Sequence, residues 1–491
     1  MKVPELPEGV LTLDRSLALP LSQQLYRAVR GAVSRGALKP GTRLPSSREI
    51  ARRLGVSRNT VNAALELLQA ETIITVAPGS APVVAQGAVL EGAAIGDQSK
   101  LGTARLSERG KRQAENLRGD SWAFRHGALQ PGAPALDVFP HDLWGRALRR
   151  AARKASNASL LYENAMGHPA LTSVLAEYLS AQRGVRVEPD QILITGSMQG
   201  ILSGLSEALA DPGDWAWLED PGYLGARTAF HGAGLRMKGI PVDDQGAAIE
   251  AMQGCGPAPK LIYVTPSHQY PFGTRMPLAR RLALIEAARS MGGVILEDDY
   301  DSEFLFEGRP VSALQGLAGD GEVIYMGTFS KSLLPGLRVS YCVVPHPLVD
   351  DLGRALRQGG RVANVHTQIA LADFIESGEY RAHLKRIRSL YEERGHALVD
   401  GLRRQLGNLI DVEIPTGNVQ VALKFRVAVD DEALARQLQA RGFSVSPLSP
   451  CFLDAPAQSG LIVGFAAATA DQIADFTRLL SDLLDLGSDP T

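Results

Sequence analysis

Lys331 stands among small hydroxyl residues, Thr328, Ser330 and Ser332, just after an apolar run, Val323-Ile324-Tyr325-Met326, that reads as a buried strand. Arg338 follows past a Pro335-Gly336 turn. A lysine at the exit of a buried strand is partly desolvated; its pKa falls, and its neutral amine can attack an aldehyde. The Thr328 and Ser330 hydroxyls with the Arg338 guanidinium suit a phosphate. A ligand with both an aldehyde and a phosphate suggests pyridoxal phosphate (PLP). Taken alone, a lysine in this position is more often an ordinary surface residue.

Other chemically apt residues also follow apolar runs. After Ile192-Leu193-Ile194-Thr195 come Gly196-Ser197-Met198-Gln199-Gly200, opening a helix; free N–H groups at such a start cradle an anion. After Trp215-Ala216-Trp217-Leu218-Glu219 comes Asp220-Pro221-Gly222-Tyr223, whose ring could stack on a planar cofactor or simply pack. After Val294-Ile295-Leu296 comes Glu297-Asp298-Asp299-Tyr300-Asp301. A carboxylate there can keep a pyridine nitrogen protonated, and a tyrosine hydroxyl can bond a phenolic oxygen. In isolation an Asp-Asp pair reads first as solvated charge or a magnesium site.

A second constellation lies near the N-terminus. Arg43, Arg48, Arg52, Arg53 and Arg58 cluster with Ser57, Asn59, Thr60 and Asn62. Arginine and amide side chains at a helix start reach base edges and phosphates, although charge alone reads equally as a solvated face. Leu21, Leu25, Val29 and Val33 predict a helix over 21–34; Ser46 or Ser47 caps a second, and after a Gly55 turn Ser57 caps a third. Two short helices split by glycine are a helix-turn-helix pattern. Ile73-Ile74-Thr75-Val76 and Val83-Val84, around Pro78-Gly79, read as a two-stranded wing.

From about residue 135 apolar runs alternate with helical patterns such as 277–289, and Leu261-Ile262-Tyr263-Val264 adds a further strand. That alternation predicts an α/β fold with a mostly parallel sheet, its ligands at the carboxyl ends of the strands. Between the two regions, 86–120 is rich in Gly and Ala and reads as a mobile connector with a short helix near 105–117. The chain has 491 residues, 45% hydrophobic and 21% charged, with net charge -2. Two or three domains are expected, and DNA contact must rest on a local patch. Cys255, Cys342 and Cys451 make no metal spacing and read as reduced thiols in a cytoplasm. No signal core or membrane-spanning run is read.

Two resemblances sharpen this. Pro40-Gly41-Thr42-Arg43-Leu44-Pro45-Ser46-Ser47-Arg48 and Leu54-Gly55-Val56-Ser57-Arg58-Asn59-Thr60-Val61 resemble the GntR-type winged helix over 20–85, here taken as a 15–85 domain. That implies DNA contacts from Arg43, Arg48, Ser57, Arg58, Asn59, Thr60 and Asn62. The stretch around Lys331, with the segments at 196–200, 220–223 and 297–301, resembles fold-type I aminotransferases over 130–480. It implies Lys331 as the Schiff-base lysine, Asp298 at the ring nitrogen, Tyr300 at the phenolic oxygen and Tyr223 stacked on the ring. Ser197, Met198 through its N–H, Thr328, Ser330 and Arg338 would hold the phosphate. Tyr162 would reach it from a second subunit, which implies a homodimer. The implied body spans 121–491, a large part over 160–360 and a small α+β subdomain over 361–491. Joined to the winged helix, this resembles the MocR/GabR family of bacterial regulators.

The departures carry information. A family glycine near Thr72 is absent, and the wing tip reads Pro78-Gly79-Ser80-Ala81-Pro82. Tyr270-Pro271-Phe272-Gly273 stands where enzymes carry Asn-Pro before the glycine, so one cofactor hydrogen bond is missing or moved to Gln269. Aminotransferases place an arginine near Ile462 to clamp a substrate carboxylate, a contact worth about 1.5–3 kcal/mol; Arg227 and Arg361 are candidates to replace it. The expected function is a PLP-dependent regulator that binds operator DNA and senses an amine, an amino acid or PLP. The alternatives are a working aminotransferase with an accessory DNA module, or a relic without PLP.

Overall fold

The computed structural model describes residues 12–17, 19–77, 80–86, 105–115, 117, 127–161, 166–252, 254, 256–306, 311–319 and 321–486. Contacts divide the chain after Arg105 into two units. In the first, α1 (Leu21–Ser34), α2 (Ser47–Leu54) and α3 (Arg58–Ala70) precede an antiparallel ribbon of β1 (Ile74–Thr75) and β2 (Val83–Val84). Leu25, Val29 and Val33 form the inner stripe of α1 and are buried with Ile50, Val61, Ala64, Leu65 and Leu68. The Ser46 hydroxyl accepts the Glu49 N–H at 3.3 Å and that of Ser57 accepts the Thr60 N–H at 3.1 Å, so α2 and α3 both begin on a capping side chain. Gly55, at φ 61°, closes α2 in a left-handed turn. The wing-tip residues Pro78 and Gly79 lie outside the described residues.

The second unit opens with α4 (Glu108–Ala114), α5 (His141–Lys154) and α6 (Pro169–Arg183). Strand and helix then alternate through β3 (Ile192–Thr195), α7 (Met198–Leu209), β4 (Trp215–Asp220), α8 (Leu224–Ala233), β5 (Arg236–Asp243), β6 (Gly246–Ala247) and β7 (Leu261–Val264). The run continues with α9 (Leu278–Met291), β8 (Val294–Asp299), α10 (Leu314–Leu317), β9 (Val323–Thr328) and β10 (Ser340–Val343). One eight-stranded sheet results, in the order β3-β10-β9-β8-β7-β4-β5-β6. β5, β4, β7, β8 and β9 pair in parallel, β10 is antiparallel to both neighbours, and β6 is antiparallel to β5. The central strands are apolar at successive positions because both faces are covered. Leu218, Tyr263, Leu296 and Ile324 enter one core; Trp217, Ile262, Ile295 and Val323 enter another with Leu284, Ile285 and Ala288 of α9.

After α11 (Val349–Gln358), α12 (Val365–Glu376) and the long α13 (Glu379–Leu406) comes a smaller layer. It contains β11 (Ile410–Val412), β12 (Gln420–Phe425), α14 (Asp431–Ala440), β13 (Ser446–Pro447), β14 (Gly460–Gly464) and α15 (Ala470–Leu486). Its four strands are antiparallel in the order β11-β12-β14-β13. The sequence reading misses β5 and β10. β5 carries Arg236, Lys238 and Pro241, since only the two-residue β6 borders its outer side. Of the connector, 87–104 lies outside the described residues. Its helix α4, capped by Ser107, packs on α8, where Glu115 meets His231 at 2.6 Å. Cys342 and Cys451 are buried free thiols, and Cys255 is outside the described residues. No helix among the described residues is long and apolar enough to cross a membrane.

Candidate functional site

A cavity of about 170 Å³ opens at the carboxyl ends of the parallel strands. Tyr223, Asp298, Tyr300, Thr328, Ser330 and Lys331 line it, and Met198 joins them from the start of α7. Seven of the residues singled out in the sequence thus meet in one place, brought from four strand ends. The Lys331 ammonium donates to the Gly132 carbonyl at 2.8 Å. Gly132 has φ +72°, and a Cβ on it would lie 2.2 Å from Lys331 Nζ, so a side chain there would collide with the amine. Burial pulls the Lys331 pKa down from 10.5 to about 8, opposed by Asp301 and Asp298.

Asp298 is the second-to-last residue of β8 and is 4% exposed. Its Oδ2 accepts the Tyr263 hydroxyl at 2.7 Å, while Oδ1 is buried with no partner among the described residues. Burial pushes this carboxyl up from 3.8 to about 7, with Tyr263 opposing. The next residue, Asp299, has a different fate: its Oδ2 accepts Arg183 Nε and the Tyr325 hydroxyl, each at 2.7 Å. The Tyr223 and Tyr263 rings stack with centroids 6.5 Å apart. Tyr300 receives the Asn418 amide at 3.5 Å.

Hydroxyls gather beside Lys331. Ser340 Oγ donates to Thr328 Oγ1 at 3.0 Å, Thr328 donates to Ser330 Oγ at 3.0 Å, and the Ser330 N–H returns to Thr328 Oγ1 at 3.2 Å. Ser197 caps α7 by accepting the Gly200 N–H at 3.0 Å and does not itself line the cavity. Nor does Arg338, which is exposed at φ 55°; its carbonyl lies 3.9 Å from where a Cβ on Gly196 would sit, so its backbone abuts the approach to α7. Tyr162 lies outside the described residues.

Sequence reasoning misses Tyr263, Gly132, Tyr270 and Gln420, which also line the cavity. Tyr263 had a signal: a tyrosine inside a buried strand run needs a partner for its hydroxyl. Gly132 sits in a Pro-Gly turn far from any motif, and Gln420 has no local signal at all. Three readings need correction. Gln269 does not line the cavity, because its Nε2 is spent on the Pro221 carbonyl at 2.8 Å. Arg227 donates to the carbonyls of Pro450 and Phe452 at 3.4 and 3.2 Å, and Arg361 pairs with Glu207 at 2.6 Å; neither lines the cavity, so neither stands in for the arginine absent at Ile462.

On the winged helix, Arg43, Arg48, Ser57, Arg58 and Asn59 are exposed, and Thr60 and Asn62 are half-buried. Arg58 Nε lies 3.4 Å from Ser47 Oγ and Thr60 Oγ1 2.7 Å from Ser57 Oγ, so the start of α3 is tied to that of α2 and to its own cap. Arg52 and Arg53, by contrast, both pair with Glu49 at 2.8 Å.

Residues 137–478 match the model of the aminotransferase class I and II family, whose members use pyridoxal phosphate, and residues 21–84 match that of the bacterial regulatory proteins of the gntR family. The chain is 40% identical, over 93% of its length and 92% of the relative's, to the probable rhizopine catabolism regulatory protein MocR of Rhizobium meliloti. It is 30% identical, over 94% and 96%, to the pyridoxine biosynthesis transcriptional regulator PdxR of Corynebacterium glutamicum. Among solved structures, α-aminoadipate aminotransferase from Thermus thermophilus, complexed with N-(5'-phosphopyridoxyl)-L-leucine, superposes with a TM-score of 0.70 at 26% identity, covering 77% of this chain and 97% of the other. The chain belongs to the MocR-type transcriptional regulators, in which a GntR-family DNA-binding domain precedes a domain of the aminotransferase class I and II family.

Proposed function

We propose that this regulator binds PLP in the Lys331 cavity and reads a small molecule there, as a homodimer on operator DNA. The observation that carries the reading is Asp298, which lines the cavity that Lys331 enters: one oxygen is held by Tyr263 and the other is buried without a donor among the described residues. A buried, unpaired carboxylate oxygen at pKa about 7 calls for a proton-bearing partner, and a pyridine nitrogen is one. The residues therefore fit the cofactor. When bound, PLP supplies an aldehyde that takes up amines and an electron-drawing ring. Lys331, its amine pulled down to about 8, is neutral often enough near neutral pH to hold that aldehyde. Tyr223 would stack on the ring, Tyr300 would bond its phenolic oxygen, and Thr328, Ser330 and Met198, which line the cavity, would hold the phosphate, joined from outside that lining by Ser197 and Arg338 and by Tyr162 from a second subunit. Arg43, Arg48, Ser57, Arg58, Asn59, Thr60 and Asn62 would contact DNA.

Two relatives named for rhizopine catabolism and for pyridoxine biosynthesis support two kinds of signal, a small effector or the cofactor itself. Ligand-driven bias of a conformational equilibrium would pass from Tyr223, the residue before α8, to α4, which rides on that helix. The test is a cofactor spectrum. Purified protein with PLP should show a visible-edge absorbance band that Lys331→Ala abolishes, and affinity for the chain's own upstream DNA should change with PLP or amine. No band, or DNA binding indifferent to every addition, defeats the proposal.

A further inference from the structure

The Lys331 amine depends on two stretches of chain 199 residues apart, its own turn and the Gly132 carbonyl that it meets at 2.8 Å. One helix, α13, holds both. Near its start Tyr380 donates its hydroxyl to Ser332 Oγ at 3.0 Å, and His383 Nε2 meets the Ser332 carbonyl at 3.0 Å. A carbonyl only accepts, so Nε2 carries the proton. Burial, with Arg386 nearby, pulls this histidine down to about 4, so its ring is neutral at neutral pH. The Tyr380 ring also meets that of Phe329 edge-on, with centroids 5.7 Å apart. Further along α13 the Tyr391 hydroxyl accepts the Ala135 N–H at 3.0 Å, Arg394 pairs with Asp137 at 2.6 Å, and Arg386 donates to the Val138 carbonyl. The first set grips the lysine's root and the second the turn that bears its acceptor.

We propose that Tyr380, His383 and Tyr391 are positioning residues for Lys331, holding the lysine and its carbonyl acceptor on one frame so that the amine is presented to the cavity in a fixed, desolvated place. None of the three lines the cavity. What the amine is for rests on the cofactor reading above; the frame itself does not. Tyr380, His383, Ile387, Tyr391 and Leu398 are all buried and recur at helical spacing, so they form one face of α13. Tyr380 and Tyr391 are about 16 Å apart along the axis, and the helix between them is a rigid spacer. Ser332 and Ala135 are buried as well, so water does not replace a lost partner at either grip. His383 and Tyr391 both end on backbone groups, which fix where the chain runs and not merely how a side chain packs. A lysine stem is flexible. Loosening its root or its acceptor lets the stem swing and water follow, and the amine then keeps its proton more firmly.

The experiment takes the full-length protein without cofactor and methylates Lys331 with formaldehyde and cyanoborohydride across a range of pH, the rate at that lysine being read by mass spectrometry of its peptide. The unaltered protein should reach half its limiting rate at about pH 8. His383→Leu and Tyr391→Phe should each move that midpoint up by about one pH unit and, at about pH 7.5, slow PLP capture about eightfold, the loss of neutral amine that such a move entails. Because the two residues hold opposite sides of one contact, the double variant should lose little beyond the larger single loss. Arg403→Ala is the control. It lies on the same helix but holds the Val412 carbonyl at 2.8 Å and neither grip, so it should lower melting and leave the midpoint alone. An unmoved midpoint in both variants, fully additive losses in the double variant, or an equal move in Arg403→Ala overturns the inference. If His383→Leu does not fold, Tyr391→Phe decides, since it deletes a single hydroxyl. An unaltered protein that shows no cofactor band with PLP defeats the cofactor reading instead, and the methylation midpoints still decide the positioning role.

Discussion

On α2 and α3 the arginines stand in solvent, and the fold does not need them. At the ends of β7, β8 and β9 the charged groups are buried, and the fold has to hold them. Among the described residues the ion pairs of the winged helix are Arg30 with Glu71 and Arg52 and Arg53 with Glu49; Arg43, Arg48 and Arg58 take no part. Around Lys331, Glu297, Asp298, Asp299 and Asp301 are all between 0% and 5% exposed. Such crowding of carboxylates raises the cost of ionising any one of them. Arg183 relieves it at Asp299 Oδ2; Asp299 Oδ1, Asp298 Oδ1 and both Asp301 oxygens have no hydrogen-bond partner among the described residues, and of these carboxylates Asp298 is the one that lines the cavity. The head thus separates its working groups from its stability, whereas the body couples the two.

The hardest blow to that contrast is Arg183→Leu. Its guanidinium also donates to the Ser267 hydroxyl at 2.7 Å and the Val311 carbonyl at 3.2 Å. Removing one partner of a buried pair strands the other, at about 3–5 kcal/mol. Thermal melting of the full chain should fall by several degrees in the body's transition, and PLP uptake should weaken with it. If melting is unchanged, the coupling claimed for the body is wrong.

The matching test in the head is Arg58→Ala beside Arg52→Ala. Arg58 is exposed at the start of α3, so its loss should cost about 1–3 kcal/mol in operator affinity and leave the melting of both units and the cofactor spectrum alone. Arg52, already paired with Glu49 at 2.8 Å, should cost less than Arg58. Equal losses, measured by DNA titration at one fixed salt concentration, would mean that the two arginines share the DNA face and that ion pairing within α2 does not sort them.

What was readable from sequence follows the same division. The caps Ser46 and Ser57 and the Gly55 turn are local signals, and α1 runs over the residues that periodicity marks. In the body, strand runs over β3, β4, β7, β8 and β9 are legible because parallel strands covered on both faces stay apolar. Lys331, Asp298 and Tyr223 are legible because they follow such runs. Gly132 and Gln420 are not, since each reaches the cavity from a distant part of the chain and its role exists only after the small sheet has packed against the large one. Arg227 and Arg361 fail for the converse reason: charge is visible in sequence, but the carbonyls and the Glu207 carboxylate that occupy it are not.

The smallest effect returns to the head. Thr72, where the winged-helix family has a glycine nearby, holds φ +56°, a conformation that crowds a β-branched side chain. It stands two residues past the end of α3, and its N–H closes the turn onto the Gln69 carbonyl at 2.9 Å, so the backbone cannot relax without giving up that bond and the register of the wing behind it. Strain of this kind costs about 1–3 kcal/mol, and glycine gives back about 0.4–1 kcal/mol through the freer unfolded chain. Thr72→Gly should therefore stabilise the winged helix by about 1 kcal/mol, read as a higher melting transition of the head. Because Thr72 carries none of the proposed DNA contacts, operator affinity should stay level while stability rises, which is the separation of function from fold that the body does not allow; a fall in affinity alongside the gain would show the wing to be part of the DNA face after all.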